Sequence, residues 1–112
     1  MTKRLPNGRE AILDIRKIED YCLSPSHPRG RQEARVFRDA LGLQRGDALW
    51  LRNALLKAAR VEEAVTTASD GWGSHWRLDA TLGRHGKSAV LRTIWIVRAD
   101  ENFPRFVTCW VL

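Results

Sequence analysis

The sequence of 112 residues predicts one α+β domain, with three N-terminal helices packed on a C-terminal four-stranded antiparallel sheet. Apolar residues recur at every third or fourth position between residues 11 and 61, as in amphipathic helices. From residue 74 to 112 apolar and polar residues alternate, as in a curled antiparallel sheet. A chain of this length can bury one core without disulfides or a metal ion. The predicted core contains Ile15, Ile18, Phe37, Leu51, Leu55, Leu78 and Trp95.

The helical half is predicted to begin with Ala11–Leu23, where Ile12, Ile15 and Ile18 are three residues apart. A connector, 24–30, follows this helix. Its two prolines restrict the backbone and cannot continue a helix. The connector therefore separates the first helix from the second.

The second and third helices follow in close succession. Arg31–Leu41 resumes the helical spacing, and Gly42 is well placed as its C-terminal cap. Asp47 is a suitable N-terminal cap for the third helix, which is predicted to end near Val61.

Four strands are predicted in the second half: Glu62–Asp70 at an edge, then 74–82, 87–98 and 103–112, with turns at 83–86 and 100–102. In strand 74–82 the apolar residues share one face. Both faces of strand 87–98 are largely apolar, and a one-residue shift would exchange them, so its register stays open. The polar face of strand 74–82 carries His75, Arg77, Asp79 and Thr81.

The charge favours an anionic partner. Lys and Arg total 19 against 13 Asp and Glu, which gives a formal charge of +6 and a pI near 10.1. Such a balance is compatible with RNA binding. Charge alone is equally compatible with an ordinary soluble basic protein.

The two cysteines indicate a reducing compartment. Cys22 and Cys109 match no metal-ligand spacing, so they are predicted to be buried free thiols. No apolar run resembles a secretion signal or a membrane span. We therefore expect a cytoplasmic site of action, no cofactor and no metal.

Short motifs lie along nearly the whole chain: Leu5-Pro6-Asn7, Asp14-Ile15-Arg16-Lys17, Tyr21-Cys22-Leu23, His27-Pro28-Arg29-Gly30, Ala34-Arg35-Val36-Phe37, Leu41-Gly42-Leu43, Trp95-Ile96-Val97-Arg98 and Phe103-Pro104-Arg105. Together they resemble a family of small bacterial domains, domain of unknown function 6883. That pattern is in turn similar to toxin domains at the C-termini of contact-dependent and polymorphic bacterial toxins. The resemblance implies an effector, and its neutralising partner would be a small acidic immunity or antitoxin-like protein.

The order of elements also resembles, more weakly, the ribonuclease superfamily that groups barnase, EndoU, colicin ribonucleases and RelE. This resemblance implies that helices cover one face of the sheet while the other face cuts RNA. Two residues depart from the toxin pattern: Glu33 stands where Lys is frequent, and Trp76 where Tyr is common. Arg31 or Arg35 could supply the charge that Glu33 lacks.

Metal-independent RNA cleavage needs a general base, a general acid and cations around the phosphate, and histidine suits the first two roles. His27 lies in the constrained connector between arginine-bearing segments, which favours a role in the site. The equally weighted alternative is that its ring packs and hydrogen-bonds within that loop. His75 shares a strand face with Arg77, although an ordinary exposed strand residue is the simpler reading. His85 lies in a polar turn and is expected to be solvated.

Arginine and lysine side chains are the candidates for binding substrate phosphates. In the last strand, Arg105 and Thr108 match the toxin pattern, but they point to opposite faces unless a bulge intervenes. Each of these residues could instead be an ordinary surface cation or sheet residue. The remaining substrate-binding candidates are Arg29, Arg31, Arg77, Lys87 and Arg92.

We therefore predict a ribonuclease-type toxin domain that uses acid–base chemistry on a basic sheet face, with His27, His75, Arg105 and Thr108 as catalytic candidates. The alternative is a non-enzymatic module that binds nucleic acid, or a protein partner, within a toxin–immunity-like pair.

Overall fold

Four antiparallel strands, paired in their order along the chain, form the sheet of the computed structural model, which describes residues 3–112. Helices precede the sheet in the sequence. The predicted α+β class is therefore confirmed. The elements are α1 (Arg31–Leu41), α2 (Ala48–Val61), β1 (Val65–Asp70), β2 (Gly73–Arg84), β3 (Lys87–Arg98) and β4 (Pro104–Val111).

A two-residue turn fixes the register of the two long central strands. His85 and Gly86 both have positive φ, 51° and 76°, as a tight type I′ hairpin requires. Arg84 therefore pairs with Lys87, and the pairing continues without interruption along all 12 residues of each strand. This turn settles the register that the sequence leaves open.

Helices cover one face of the sheet. α1 lies against β3 and β4, and α2 lies against β2. Between these layers the predicted core residues Ile18, Phe37, Leu51, Leu55, Leu78 and Trp95 are fully buried, whereas Ile15 is half-buried. We call the opposite side of the sheet the open face. In β2 to β4 it carries His75, Arg77, Asp79, Thr81, Val90, Arg92, Ile94, Ile96, Arg105, Thr108 and Trp110.

The predicted helix Ala11–Leu23 is wrong in its first part. The backbone around Ile12 is extended and forms a parallel bridge with Arg105. The Ile12 amide donates to the Pro104 carbonyl and the Ile12 carbonyl accepts from the Phe106 amide, both at 2.9 Å. These bonds with β4 replace the helical ones. Within residues 11–23, helical backbone is confined to 16–22, and most of that segment is a π-helical turn.

The two α-helices match their predicted bounds, but one predicted cap is wrong. Gly42 has a φ of 66° and its amide donates to the Arg38 carbonyl at 2.9 Å, so it ends α1 as expected. Asp47 precedes α2 without capping it. Its carboxylate accepts instead from the Gln44 amide at 2.9 Å and from Arg84 at 3.1 Å. None of the helices in the described part is long and apolar enough to span a bilayer.

The edge strand β1 begins at Val65 rather than at Glu62. The residues before it pair with the N-terminal segment. Glu63 forms an antiparallel β-bridge with Arg4, and the Ala64 amide donates to the Lys3 carbonyl at 2.8 Å. The other strands lie within two residues of their predicted ends.

Both cysteines are free and buried, as predicted. Cys22 belongs to the π-helical turn and Cys109 to β4. Their sulfur atoms lie 3.9 Å apart, so the fold brings together two thiols that are 87 residues apart in the chain.

Candidate nucleic-acid interface

Five of the nine predicted site residues lie on the open face. His75 and Arg77 come from β2, Arg92 from β3, and Arg105 and Thr108 from β4. Register places Ile96 between His75 and Arg105, and Ile94 between Arg77 and Thr108. Since neighbouring strands are about 4.8 Å apart, each of these pairs is separated by roughly 10 Å. We call His75, Arg77, Arg105 and Thr108, which surround this isoleucine floor, the quartet.

A β-bulge brings Arg105 and Thr108 to the same face. Thr108 pairs with Ile94, and the next pair joins Phe106 to Trp95, so Val107 is an extra residue in β4. The alternation of side chains shifts by one at this point. Arg105 and Thr108 were expected to share a face only if a bulge intervened, and that bulge is present.

Arg105 is held in one orientation. Its Nε and Nη2 donate to the two carboxylate oxygens of Glu101 at 2.8 and 2.7 Å, and its guanidinium carbon lies 5.2 Å from the centre of the Phe103 ring. The hydrogen bond from Arg105 lowers the pKa of Glu101. Two of the five guanidinium N–H groups are used in these bonds. The others remain available to a phosphate.

Arg92 is also paired. Its Nε and Nη2 donate to the two carboxylate oxygens of Asp79, each at 3.0 Å. This bond lowers the pKa of Asp79. The pair neutralises charge at the end of the open face that is nearest to Trp110, which stands opposite Arg92.

Arg77 is the open-face arginine of the predicted set that has no carboxylate within 4.0 Å among residues 3–112. Its side chain is half-buried and lines a cavity of about 780 Å³ together with Lys3, Arg4 and Asp79. Glu62 and Glu63 also line this cavity, so its three cations face three carboxylates, and Arg77 is the cation that the cavity shares with the quartet.

His75 carries a ring nitrogen without a partner. Its Nδ1 is buried and has no hydrogen bond among the described residues. Ala68 and Ile96 flank His75 on the neighbouring strands. A buried polar atom without a partner calls for an explanation such as a catalytic role or a bound ligand.

The other predicted residues lie outside the open face. The Nδ1 of His27 accepts from the amides of Arg29 and Gly30, both at 3.0 Å, and its ring meets that of Tyr21 edge-on at 4.8 Å. With Nδ1 as acceptor, the proton of the neutral ring is on Nε2. His27 therefore closes the turn that leads into α1.

The remaining predicted cations lie around α1. Arg29 and Arg31 are exposed at its start. Lys87 donates to the Asp39 carbonyl at 3.1 Å, near the C-terminal end of α1. The fold thus does not bring Arg29, Arg31, Lys87 and His27 together with the quartet.

The sequence did not reveal the partners of the site arginines. Glu101 precedes Arg105 by four residues, a spacing that would have suggested an ion pair only in a helix. Asp79 and Arg92 are neighbours only because of the strand register. Among residues 3–112, no three side chains of His, Cys, Asp or Glu are grouped so that they could hold a metal ion.

Comparison with known proteins shows the fold and the family. No match was found among curated proteins. The chain is similar to a chain of a contact-dependent growth inhibition toxin–immunity protein complex from Klebsiella pneumoniae 342, with a TM-score of 0.65, 22% identity, and coverage of 90% of this chain and 99% of that chain. At this identity the likeness shows a common fold. Residues 4–112 match one family model, so the chain belongs to the family described as Domain of unknown function (DUF6883).

Proposed function

We propose that this protein is a ribonuclease-type toxin domain that cleaves RNA on its open face by metal-independent acid–base chemistry. One observation carries the proposal: β2 and β4 place a histidine, two arginines and a threonine around an apolar floor in a protein of charge +6. The fold likeness to a chain from a toxin–immunity complex supports this biological setting.

Each member of the quartet has a chemical role in the proposal. His75 takes the proton of the ribose 2′-hydroxyl through Nε2, since its Nδ1 is buried. Arg77 binds a non-bridging phosphate oxygen, and the free N–H groups of Arg105 stabilise charge on the phosphate and the leaving 5′-oxygen. The Thr108 hydroxyl donates to the phosphate. The 2′-oxygen forms the new bond to phosphorus, the P–O5′ bond breaks, and water protonates the 5′-oxygen.

The partner would be a small acidic immunity or antitoxin-like protein. The chain of similar fold comes from a toxin–immunity protein complex, and the positive charge of this domain would steer an acidic protein towards it. The two buried thiols are compatible with action in a reducing cytoplasm.

Purified protein and RNA in the presence of EDTA test this function. We expect products that end in a 2′,3′-cyclic phosphate and a 5′-hydroxyl. His75→Gln, Arg77→Met and Arg105→Met should each slow cleavage by about 100-fold or more, the size of a general acid–base or phosphate contribution. The matched controls Arg29→Met and Lys87→Met, on the helical side, should stay within about threefold of wild type. RNA that stays intact with the wild-type protein would rule out the proposed activity.

A second function, a non-enzymatic binding module, is favoured by the pairing of Arg92 and Arg105 with carboxylates, since paired arginines often serve only the fold. Saturable RNA binding without cleavage would support this module. Expression in bacteria without a partner separates the two functions, because only the ribonuclease should arrest growth together with RNA fragmentation.

A further inference from the structure

A groove on the helical side of the protein is lined by four arginines. Its volume is about 680 Å³, within the range of small-molecule sites. α1 contributes Arg31, Arg35 and Arg38, and the segment between α1 and α2 contributes Arg45. The groove is separate from the quartet, which lies on the other face of the sheet.

The arginines of α1 form a stripe along one helix face. Arg31, Arg35 and Arg38 are separated by four and three residues, so they rise about 6 Å and 4.5 Å along the axis. All three are exposed. Adjacent phosphates of an extended nucleic-acid strand, and the two terminal phosphates of a triphosphate, have a similar spacing.

The charge of this stripe is poorly compensated. Among residues 3–112 neither Arg31 nor Arg35 has a carboxylate within 4.0 Å, and the nearest to Arg38 is Asp39 at 3.9 Å. The carboxylate of Glu33 does not help, because its Oε2 is buried without a partner. Arg45 is paired with Asp20 at 2.9 Å, so the poorly compensated charge of the groove belongs to the three arginines of α1, which repel one another.

The position of the stripe in α1 adds to this repulsion. The N-terminal end of a helix carries partial positive charge, so cations in the first turns are unfavourable there. Arg31 is the first residue of α1, and Arg35 is one turn further on. A bound anion would offset both the repulsion among the arginines and their unfavourable interaction with the N-terminal end of α1.

We propose that this α1 groove binds phosphate groups about 6 Å apart, as between neighbours in an RNA backbone or between the terminal groups of a free triphosphate. The planar guanidinium fork matches two phosphate oxygens. The floor contains the buried side chains of Leu23 and Leu43, whose low polarity strengthens ionic contacts above them. This site does not depend on cleavage at the quartet.

Binding of two probes, measured by calorimetry at low salt, tests the proposal. The probes are inorganic tripolyphosphate and a single-stranded RNA of about 12 nucleotides. The variant R31E/R35E should weaken binding of at least one probe by about tenfold or more, because two charge-assisted contacts become repulsive. The control K57E/R60E makes the same change of charge on the exposed side of α2 and should change the affinity by about twofold or less. The milder variant R31Q/R35Q should lose probe binding to the same extent. An unchanged melting temperature for this variant excludes misfolding as the cause.

The two probes identify the source of the phosphates. Loss of tripolyphosphate binding alone indicates a free polyphosphate, whereas loss of RNA binding indicates an RNA backbone. The proposal is overturned if neither probe binds more weakly to R31E/R35E than to K57E/R60E. It is also overturned if polyglutamate of equal charge binds the groove more tightly than tripolyphosphate, which would indicate an acidic protein partner. RNA cleavage is not the readout, so failure here leaves the proposed ribonuclease activity untouched.

Discussion

His27 is tied to its own loop through its side chain. Its Nδ1 accepts from the amides of Arg29 and Gly30, which have no other acceptor among residues 3–112. His27→Ala should therefore lower the free energy of unfolding by about 1 kcal/mol, the usual cost of losing such a cap. His27→Asn should keep most of the stability, because the Asn side-chain oxygen can accept the same bonds. Urea unfolding measures both changes.

The same variants decide whether His27 has a chemical role. We expect RNA cleavage by His27→Ala to stay close to the wild-type rate under conditions in which the variant is folded. A variant that keeps its stability but loses cleavage would contradict the structural role and return His27 to the active site.

Glu101 should make stability depend on acid pH. Its pKa is lowered by the hydrogen bond from Arg105, so the unfolded chain binds the proton more tightly than the folded protein does. The pair therefore stabilises the fold above the ordinary glutamate pKa of about 4.3, and this contribution is lost as pH falls through the lowered pKa. Between about pH 5 and pH 2, the free energy of unfolding should fall less steeply for Glu101→Gln than for wild type.

Glu10→Gln is the control for this experiment. Glu10 is an exposed residue of the short 3₁₀ helix Gly8–Glu10 and forms no ion pair within the described part of the chain. Its substitution should leave the acid slope of the wild type in place. Equal slopes for Glu101→Gln and wild type would show that the pair does not stabilise the fold.

Two cations of the β2–β3 hairpin, Arg84 and Lys87, donate hydrogen bonds to the C-terminal end of α1. They differ in the number of bonds they make. Arg84 donates to the carbonyls of Leu41 and Gly42 at 3.3 and 3.0 Å and to Asp47 at 3.1 Å. Lys87 makes a single bond to a carbonyl from an exposed position. Arg84→Met should therefore cost about 2 kcal/mol, and Lys87→Met less than about 1 kcal/mol, in urea unfolding. A larger loss for Lys87→Met would contradict this ranking.

Elements held by local signals could be predicted from the sequence. α1 and β3 have their predicted bounds, since glycine and the 85–86 turn mark their ends. The extended backbone at Ile12 could not be predicted in this way. Its hydrogen bonds are with β4, more than 90 residues away, and its apolar spacing fits a helix equally well.

The candidate site was predictable only in part for the same reason. Alternation along β2 was enough to place His75 and Arg77 on one face. Arg105 and Thr108 share a face only because of the bulge at Val107, and no residue type in the sequence indicates this bulge. The open face is thus assembled by pairing between strands, and single-strand patterns cannot specify it.

In the whole molecule, the helical layer and the last strand meet at the two thiols. Cys22 and Cys109 are 1% and 2% exposed. The hydrogen bond to Cys22 together with burial raises the pKa of the Cys109 thiol, so the reactive thiolate is scarce in the folded state. Neither sulfur can react with a reagent in solution unless the two layers separate.

Thiol labelling should therefore report global opening. In native buffer both cysteines should react with an aromatic disulfide reagent at a slow common rate, which should rise with urea in parallel with the unfolded fraction. The variant Ser26→Cys, which places a thiol in the exposed part of the connector, is the control and should add one rapidly reacting group. Rapid reaction of Cys22 alone in native buffer would mean that the π-helical turn opens by itself. In that case the helical layer and the sheet would not unfold as one cooperative unit.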